Sequence, residues 1–245
     1  MARFFLPRKN ITERRGAIEG RELEHLRRVL RLGPGDPITV FDDAGWEHEA
    51  IIRSLDAHSA EIEILRSFQA ERESTLKLTL AVGLTKGDKM DFVVEKATEL
   101  GVHAIVPFVS TYTVPKLDGR KIAQRGERWQ KIALAAAKQC GRTRMPEISP
   151  LCDFAAMVGL TTDPLKLLFW EKETRQTLRQ VHAAEPAARS IFLAVGAEGG
   201  FSDPEADLAQ KRGFKPIRLG RRILRAETAA LTGAALVQFL WGDLG

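Results

Sequence analysis

This chain of 245 residues is poor in the groups that most often announce a chemistry: it has two cysteines, Cys140 and Cys152, one tyrosine and five histidines. Two cysteines give neither a disulfide framework nor a metal-binding Cys cluster, and a reducing cytoplasm is the expected setting. Apolar runs stay well short of the roughly 20 residues that span a bilayer. The opening stretch, Met1 to Lys9, returns to charge too soon for a secretory leader. Two nucleotide motifs are missing as well. Gly196-Ala197-Glu198-Gly199-Gly200 is not followed by the Lys-Ser/Thr pair of a P-loop, and the apolar run ending at Gly83 is not followed by Gly-x-Gly-x-x-Gly. Internal repeats and low-complexity tracts are absent too. What remains, 44% hydrophobic and 28% charged, is the composition of a folded protein with a real core.

Charge is distributed unevenly around a net +5. Residues 1–31 hold nine Lys/Arg against four Glu, residues 32–73 three Arg against ten Asp/Glu, and residues 116–144 nine Lys/Arg against two acids. Basic charge gathered into two stretches suits a polyanion such as nucleic acid, and it also suits ordinary solvated helix faces.

The pattern along the chain changes near residue 70. Before it, Arg3 to Leu6, Ile38 to Phe41, Trp46 to Ile52 and Ala60 to Leu65 read as short strands, with a helix over Gly20 to Leu32 carrying Leu23, Leu26, Val29 and Leu30 on one side. Residues 1–70 are expected to form a small β-barrel, and Ser67 to Ser74 a linker. From 75 to 245, strand-length runs alternate with helices: Leu76 to Val82, His103 to Val109, Leu165 to Trp170, Ser190 to Val195 and Pro216 to Leu219. That alternation predicts an α/β domain with a parallel sheet covered on both faces. Gly101 and Gly213 are expected to end helices, and Ser202-Asp203-Pro204-Glu205 to cap one. A long loop is expected from Ser110 to Arg128, containing Tyr112 and Lys116. The last helix, Glu227 to Trp241, is apolar nearly all round and is expected to be buried, in part against another subunit.

Two strand-to-helix loops stand out as a ligand site. Val195 to Glu205 contains the glycine cluster with Glu198, whose carboxylate favours a ligand with a cationic or hydrogen-bond-donating face. Leu219 to Ala230 crowds Arg221, Arg222 and Arg225 ahead of Glu227 and Thr228. Loops at neighbouring strand ends make a pocket for a small polar ligand. Taken singly, each also reads as a tight turn or as helix capping.

Several stretches together carry a resemblance. Gly83-Leu84-Thr85-Lys86-Gly87-Asp88-Lys89-Met90, Glu95 to Gly101, Trp129 to Ala133, Gln139 to Ile148, Gly196 to Gly200 and Leu219 to Ala230 resemble the SPOUT-type RNA methyltransferases. Within these, the chain looks most like the bacterial enzymes that methylate N3 of a uridine in small-subunit ribosomal RNA. His25-Leu26-Arg27-Arg28-Val29-Leu30-Arg31 matches their N-terminal domain. One departure is Ala197, where the family usually has Pro, a change in loop stiffness more than in contacts.

The resemblance implies a PUA-like barrel for RNA, then a mostly parallel SPOUT sheet with a C-terminal deep trefoil knot and a homodimer. It also implies S-adenosylmethionine as cofactor, with no metal, and 16S ribosomal RNA or the small subunit as partner. The implied cofactor contacts are Trp170, Val195, Gly196, Ala197, Glu198, Gly199, Gly200, Leu219, Gly220, Arg222, Ile223, Leu224, Thr228 and Ala229. Uracil N3 carries a proton and is a poor nucleophile, so Arg225 is the candidate for stabilising its anion and Glu227 for taking the proton or orienting Arg225. An Arg225–Glu227 pair that merely pins the loop is the ordinary alternative. Candidate RNA contacts are Arg3, His25, Arg28, Arg31, Arg142 and Arg144. Methylation of a ribose 2′-OH, or a non-catalytic ribosome-assembly role, are the competing readings.

Overall fold

The computed structural model describes residues 2–12, 14–113 and 119–245. The chain divides into two units, Met1–Glu73 with Ala137–Met145, and Ser74–Ala136 with Pro146–Gly245. In the small unit six strands, β1 (Ala2–Phe5), β2 (Ile11–Thr12), β3 (Arg15–Glu19), β4 (Pro37–Phe41), β5 (Trp46–Leu55) and β6 (Ser59–Gln69), form one sheet. Their order is β1-β4-β5-β6-β3-β2. Alternate residues point inward, as the two-residue period of a strand requires: Ile38 and Val40, Ala50 and Ile52, Ala60, Ile62 and Ile64 share one core with Phe4, Leu23 and Leu26.

Sequence and structure differ here at two points. The helix expected over Gly20 to Leu32 is α1 (Gly20–Glu24) continued by one π-helical turn, His25–Val29. Arg31 then takes a positive φ of 54°. The wider turn still sends Leu23 and Leu26 into the core. At the other end β6 runs on through Gln69, because Trp46 to Glu49 pair with Gln69 to Arg66; the first part of the expected linker is therefore strand.

The large unit contains β7 (Lys77–Gly83), α2 (Lys89–Glu99), β8 (Ala104–Val109) and α3 (Gly119–Cys140), whose last residues group with the small unit. Then come β9 (Glu147–Ile148), β10 (Cys152–Asp153), α4 (Phe154–Leu160), β11 (Leu165–Phe169), α5 (Leu178–Ala184), β12 (Ser190–Val195), α6 (Asp203–Lys211), β13 (Phe214–Ile217) and α7 (Ala226–Trp241). The strand order is β10-β8-β7-β12-β11-β13, with β9 beside β8, and every pairing is parallel.

Both faces of this sheet are dry. Leu78, Leu80, Val82, Leu165, Leu167, Ile191, Leu193 and Val195 pack on one side with α2 and α7. Ala81, Leu168, Phe192 and Ala194 pack on the other with α4 and α6. Each buried Leu or Ile contributes about 1.5–3 kcal/mol of transfer free energy, so the register of these strands is firmly set. Gly101 and Gly213, with φ of 75° and 86°, end α2 and α6 as expected. Glu205 accepts from both the backbone N–H and the hydroxyl of Ser202, 2.9 Å each, closing the expected cap.

The loop expected from Ser110 to Arg128 is shorter, because helix α3 already begins at Gly119. Tyr112 lies on the turn after β8 and Lys116 outside the described residues. Helix α7 is buried along one face only, through Ala230, Gly233, Ala234, Val237 and Trp241, while Leu236 and Phe239 remain 38% and 58% exposed. Among the described residues no helix is long and apolar enough to cross a membrane.

Candidate active site

Strands β12, β11 and β13 lie side by side, and the loops leaving their carboxyl ends enclose one cavity of about 320 Å³. Ligand crevices of parallel α/β sheets form at this end. Phe169 to Glu171, Val195 to Gly200, Arg218 to Leu224, and Ala226 and Ala229 at the start of α7 line it. The glycine cluster and the arginine-rich turn, separate in sequence, thus share one hollow. All the expected cofactor contacts belong to its wall except Thr228, which is exposed on the outer side of the first turn of α7.

The glycine loop owes its shape to close approaches. Gly200 donates its N–H to the Ala197 carbonyl at 2.9 Å and adopts φ 67°, and a Cβ there would fall 2.7 Å from Oε1 of Glu171. From beneath, Gly83 at the end of β7 supports the same loop: a Cβ on it would lie 2.3 Å from the Ala197 nitrogen. At Gly83 backbone leaves room for hydrogen alone, and at Gly200 the positive φ is what favours glycine. Trp170 forms another wall, and its indole Nε1 is buried with no hydrogen-bond partner among the described residues. A buried donor without an acceptor is costly, so this one is suited to an acceptor brought in by a ligand.

Electrostatics at the rim centre on Lys89, the first residue of α2. Its ammonium lies 3.2 Å from Oε1 of Glu198 and 3.5 Å from Oε2 of Glu227. Oε1 of Glu198 also accepts the Lys86 backbone N–H at 3.1 Å. Burial pushes the Glu198 carboxyl up, but the Lys86 N–H and the Lys89 ammonium outweigh it and hold the group below the usual carboxylate range. The hydrogen bond it donates to Glu198 raises Lys89 above the usual lysine value. Glu198 therefore stays charged at neutral pH.

Arg225 is the exposed residue immediately ahead of α7, and Glu227 sits in the first turn with its side chain 16% exposed. The Arg225–Glu227 pair considered from the sequence does not form; Glu227 pairs with Lys89 instead. Sequence reasoning missed Lys89, Lys86 and Glu171 as site residues. The signal was available for the first two, since Lys86 and Lys89 belong to one of the stretches that carried the family resemblance.

The expected RNA contacts divide by exposure. Arg28 is 80% exposed, in an i,i+4 pair with Glu24, and Arg31 is exposed too. Arg3 is turned inward: its guanidinium donates to the Ala137 carbonyl at 3.0 Å and to Glu47 at 3.3 Å, and stacks over Phe41. Burial lowers its pKa from the usual arginine value. His25 makes an edge contact with Phe4. Arg142 is buried, its Nε and Nη2 donating to one oxygen of Glu73 at 3.0 and 2.8 Å. The other Glu73 oxygen accepts the N–H groups of Thr143 and Arg144, and the Arg144 side chain reaches the Ala44 carbonyl at 3.1 Å. Arg3 and Arg142 thus hold the small unit together, and a direct phosphate contact is not where the structure places them.

Comparison with known proteins follows the same division. A family model described as an RNA methyltransferase domain matches residues 72–238, and one described as an RNA methyltransferase PUA domain matches residues 18–65. Ribosomal RNA small subunit methyltransferase E of Bacillus subtilis is 30% identical over 228 residues, 91% of this chain and 89% of its own length. A methyltransferase of Legionella pneumophila, solved with bound S-adenosylmethionine, superposes with a TM-score of 0.92 at 32% identity, over 99% of both chains. Ribosomal RNA small subunit methyltransferase E of Neisseria gonorrhoeae, also bound to S-adenosylmethionine, gives 0.89 at 34% identity over the full length of both. A parallel-sheet α/β domain that follows a PUA-type domain in the chain, with coverage of this extent, places the chain in the RNA methyltransferase family of the ribosomal RNA small subunit methyltransferase E type.

Proposed function

We propose that the chain is an S-adenosylmethionine-dependent methyltransferase acting on N3 of a uridine in 16S ribosomal RNA. The observation that carries this reading is the single cavity built by the three loops after β11, β12 and β13, in a chain whose full-length structural relatives were solved with that cofactor bound. The cavity suits the molecule. Main-chain groups of the two loops offer hydrogen bonds to its polar ends, the Trp170 Nε1 needs an acceptor, and the negative Glu198 balances a positive sulfonium.

When bound, the cofactor would supply an electrophilic methyl group to an in-line nucleophile, with the neutral thioether as the leaving group. The residues of this chain have the remaining work, which is to make uracil N3 nucleophilic. Glu227, whose carboxylate lies 3.5 Å from the Lys89 ammonium, is the proton acceptor in this reading. Arg225, exposed at the mouth of α7, stabilises the anion spread over N3, O2 and O4. N3 faces the partner strand in a duplex, so the uridine is taken unpaired or flipped out. In this proposal the segment Leu219 to Thr228 threads the trefoil knot expected of the family. The open apolar face of α7, with Phe239 58% exposed, packs against a second copy in a homodimer. The substrate places the protein in the cytoplasm.

Nucleoside mass spectrometry of ribosomal RNA from a strain lacking the protein tests the reading. Loss of a base-methylated uridine from the small subunit is expected. Loss of a ribose-methylated nucleoside would move the acceptor to a 2′-OH, and an unchanged profile would point to a non-catalytic assembly role.

A further inference from the structure

Strands β11 and β13 keep their pairing up to the active cavity. Beyond the register pair Phe169 and Ile217, the Trp170 N–H donates to the Ile217 carbonyl at 3.2 Å and carries the parallel ladder one residue further. Trp170 and Arg218 therefore stand opposite each other, on the face away from Phe169 and Ile217. On its other side Arg218 donates its N–H to the Gln176 carbonyl at 3.0 Å and forms an isolated parallel bridge with Thr177. Its backbone is thus tied on both sides, whereas Arg221 and Arg222 follow in the exposed turn. A side chain on so fixed a base can meet a ligand at a set position.

Both residues line the cavity, and both keep an unused donor: Arg218 Nε and Trp170 Nε1 are buried without a hydrogen-bond partner among the described residues. No ion pair among the described residues engages the half-buried Arg218 either. A cation partly withdrawn from water without a counter-charge is costly, so this one is suited to an anion brought in from outside. The carboxylates of the same wall do not supply it. Glu198 is held by Lys86 and Lys89. Glu171 lies against Gly200, where a Cβ would fall 2.7 Å from its Oε1, and it too has no ion pair among the described residues. The wall therefore offers one unpaired cation and one unpaired carboxylate. That combination favours a zwitterion over a phosphate, which two carboxylates in one wall would repel.

We propose that Arg218 receives the α-carboxylate of S-adenosylmethionine, with the Trp170 indole as a second donor, and that Glu171 receives its α-ammonium. The inference rests on the function proposed above. Neither Arg218 nor Glu171 is among the contacts that the family resemblance implies. The amino-acid end is the part of that cofactor which carries a carboxylate and an ammonium together. A guanidinium suits the carboxylate because its planar fork can give it two parallel hydrogen bonds. This division leaves Glu198 to balance the sulfonium.

The test is calorimetric titration of two neutral thioethers that differ at this end. S-adenosylhomocysteine carries the amino acid, and 5′-methylthioadenosine has a methyl group in its place. Arg218→Met is expected to weaken S-adenosylhomocysteine by about tenfold to a hundredfold, the worth of a hydrogen bond between charged groups. The same variant keeps wild-type affinity for 5′-methylthioadenosine, which shows that the cavity is intact, and Arg218→Lys retains most of the affinity for S-adenosylhomocysteine. Glu171→Gln shows the same selectivity. Equal losses on both ligands in Arg218→Met, or no loss on either, overturn the inference. A loss confined to ribosomal RNA binding overturns it too and assigns Arg218 to a phosphate. The two failures are separable. A wild-type protein that binds neither ligand counts against the proposed function and this contact together, whereas one that binds S-adenosylhomocysteine and shows no selective loss in Arg218→Met counts against this contact alone.

Discussion

Lys89 Nζ lies 3.2 Å from Glu198 Oε1, so the first residue of α2 fastens the glycine loop of the active cavity. The same ammonium reaches Glu227 at 3.5 Å, and one cation therefore separates two carboxylates that would otherwise repel. Lys89→Met is expected to weaken cofactor binding and to lower kcat, whereas Lys89→Arg keeps most of both; calorimetry and steady-state kinetics check this.

The pH dependence has a definite sign. Glu198 is held below the ordinary carboxylate value, so its contribution to stability is complete above about pH 4.3 and is lost as pH falls through the lowered value. Lys89 is raised, so its contribution persists below about pH 10.4 and is lost only at still higher pH. The difference in melting temperature between wild type and Lys89→Met should be flat across neutral pH and shrink in acid. A difference that grows as pH falls would contradict the pairing.

Gly83 offers a test of the cavity from outside it. A Cβ there would meet main-chain atoms of Ala197 at 2.3 Å and Gly196 at 2.9 Å, and backbone has little room to yield. Overpacking of this kind costs about 1–3 kcal/mol. Gly83→Ala should displace the glycine loop and weaken S-adenosylmethionine binding by roughly tenfold to a hundredfold, read by titration.

Arg142 separates a structural charge from an RNA contact. Its side chain is 6% exposed and fixed on Glu73. Breaking a buried pair from one side costs about 3–5 kcal/mol. Arg142→Ala should lower the melting temperature by several degrees and leave the salt slope of RNA binding as it was. A slope change with no loss of stability would restore Arg142 as a phosphate contact.

Arg225 tests the chemistry. It lies outside the cavity lining and ahead of α7, so Arg225→Ala should keep cofactor affinity. Loss of a transition-state donor of this kind costs about 10²–10³ in kcat, and single-turnover methylation would reveal it.

The parallel sheet was legible because its strands are continuous apolar runs between helix signals, and the cavity because the glycine and arginine loops each follow such a run. Less legible were features set by distant partners. Nothing local to Arg142 announces Glu73, so a buried structural arginine looked like a surface charge. Helix α3 begins ten residues before its apolar face at Trp129, since its first turns carry charge rather than core residues. The α5 capping box, Thr177 with Gln180, was readable but lay in a stretch with few apolar residues to flag a helix. Lys89 was quoted for the family it signals and not for its charge, because its two carboxylate partners are more than a hundred residues away.

The most direct measurement is calorimetric titration of S-adenosylmethionine into the purified wild-type protein, with a chelator present. Saturable binding without added metal, weakened in Gly83→Ala, is the predicted result. No detectable heat, or binding that Gly83→Ala leaves untouched, would contradict a cofactor site formed by the loops after β11, β12 and β13.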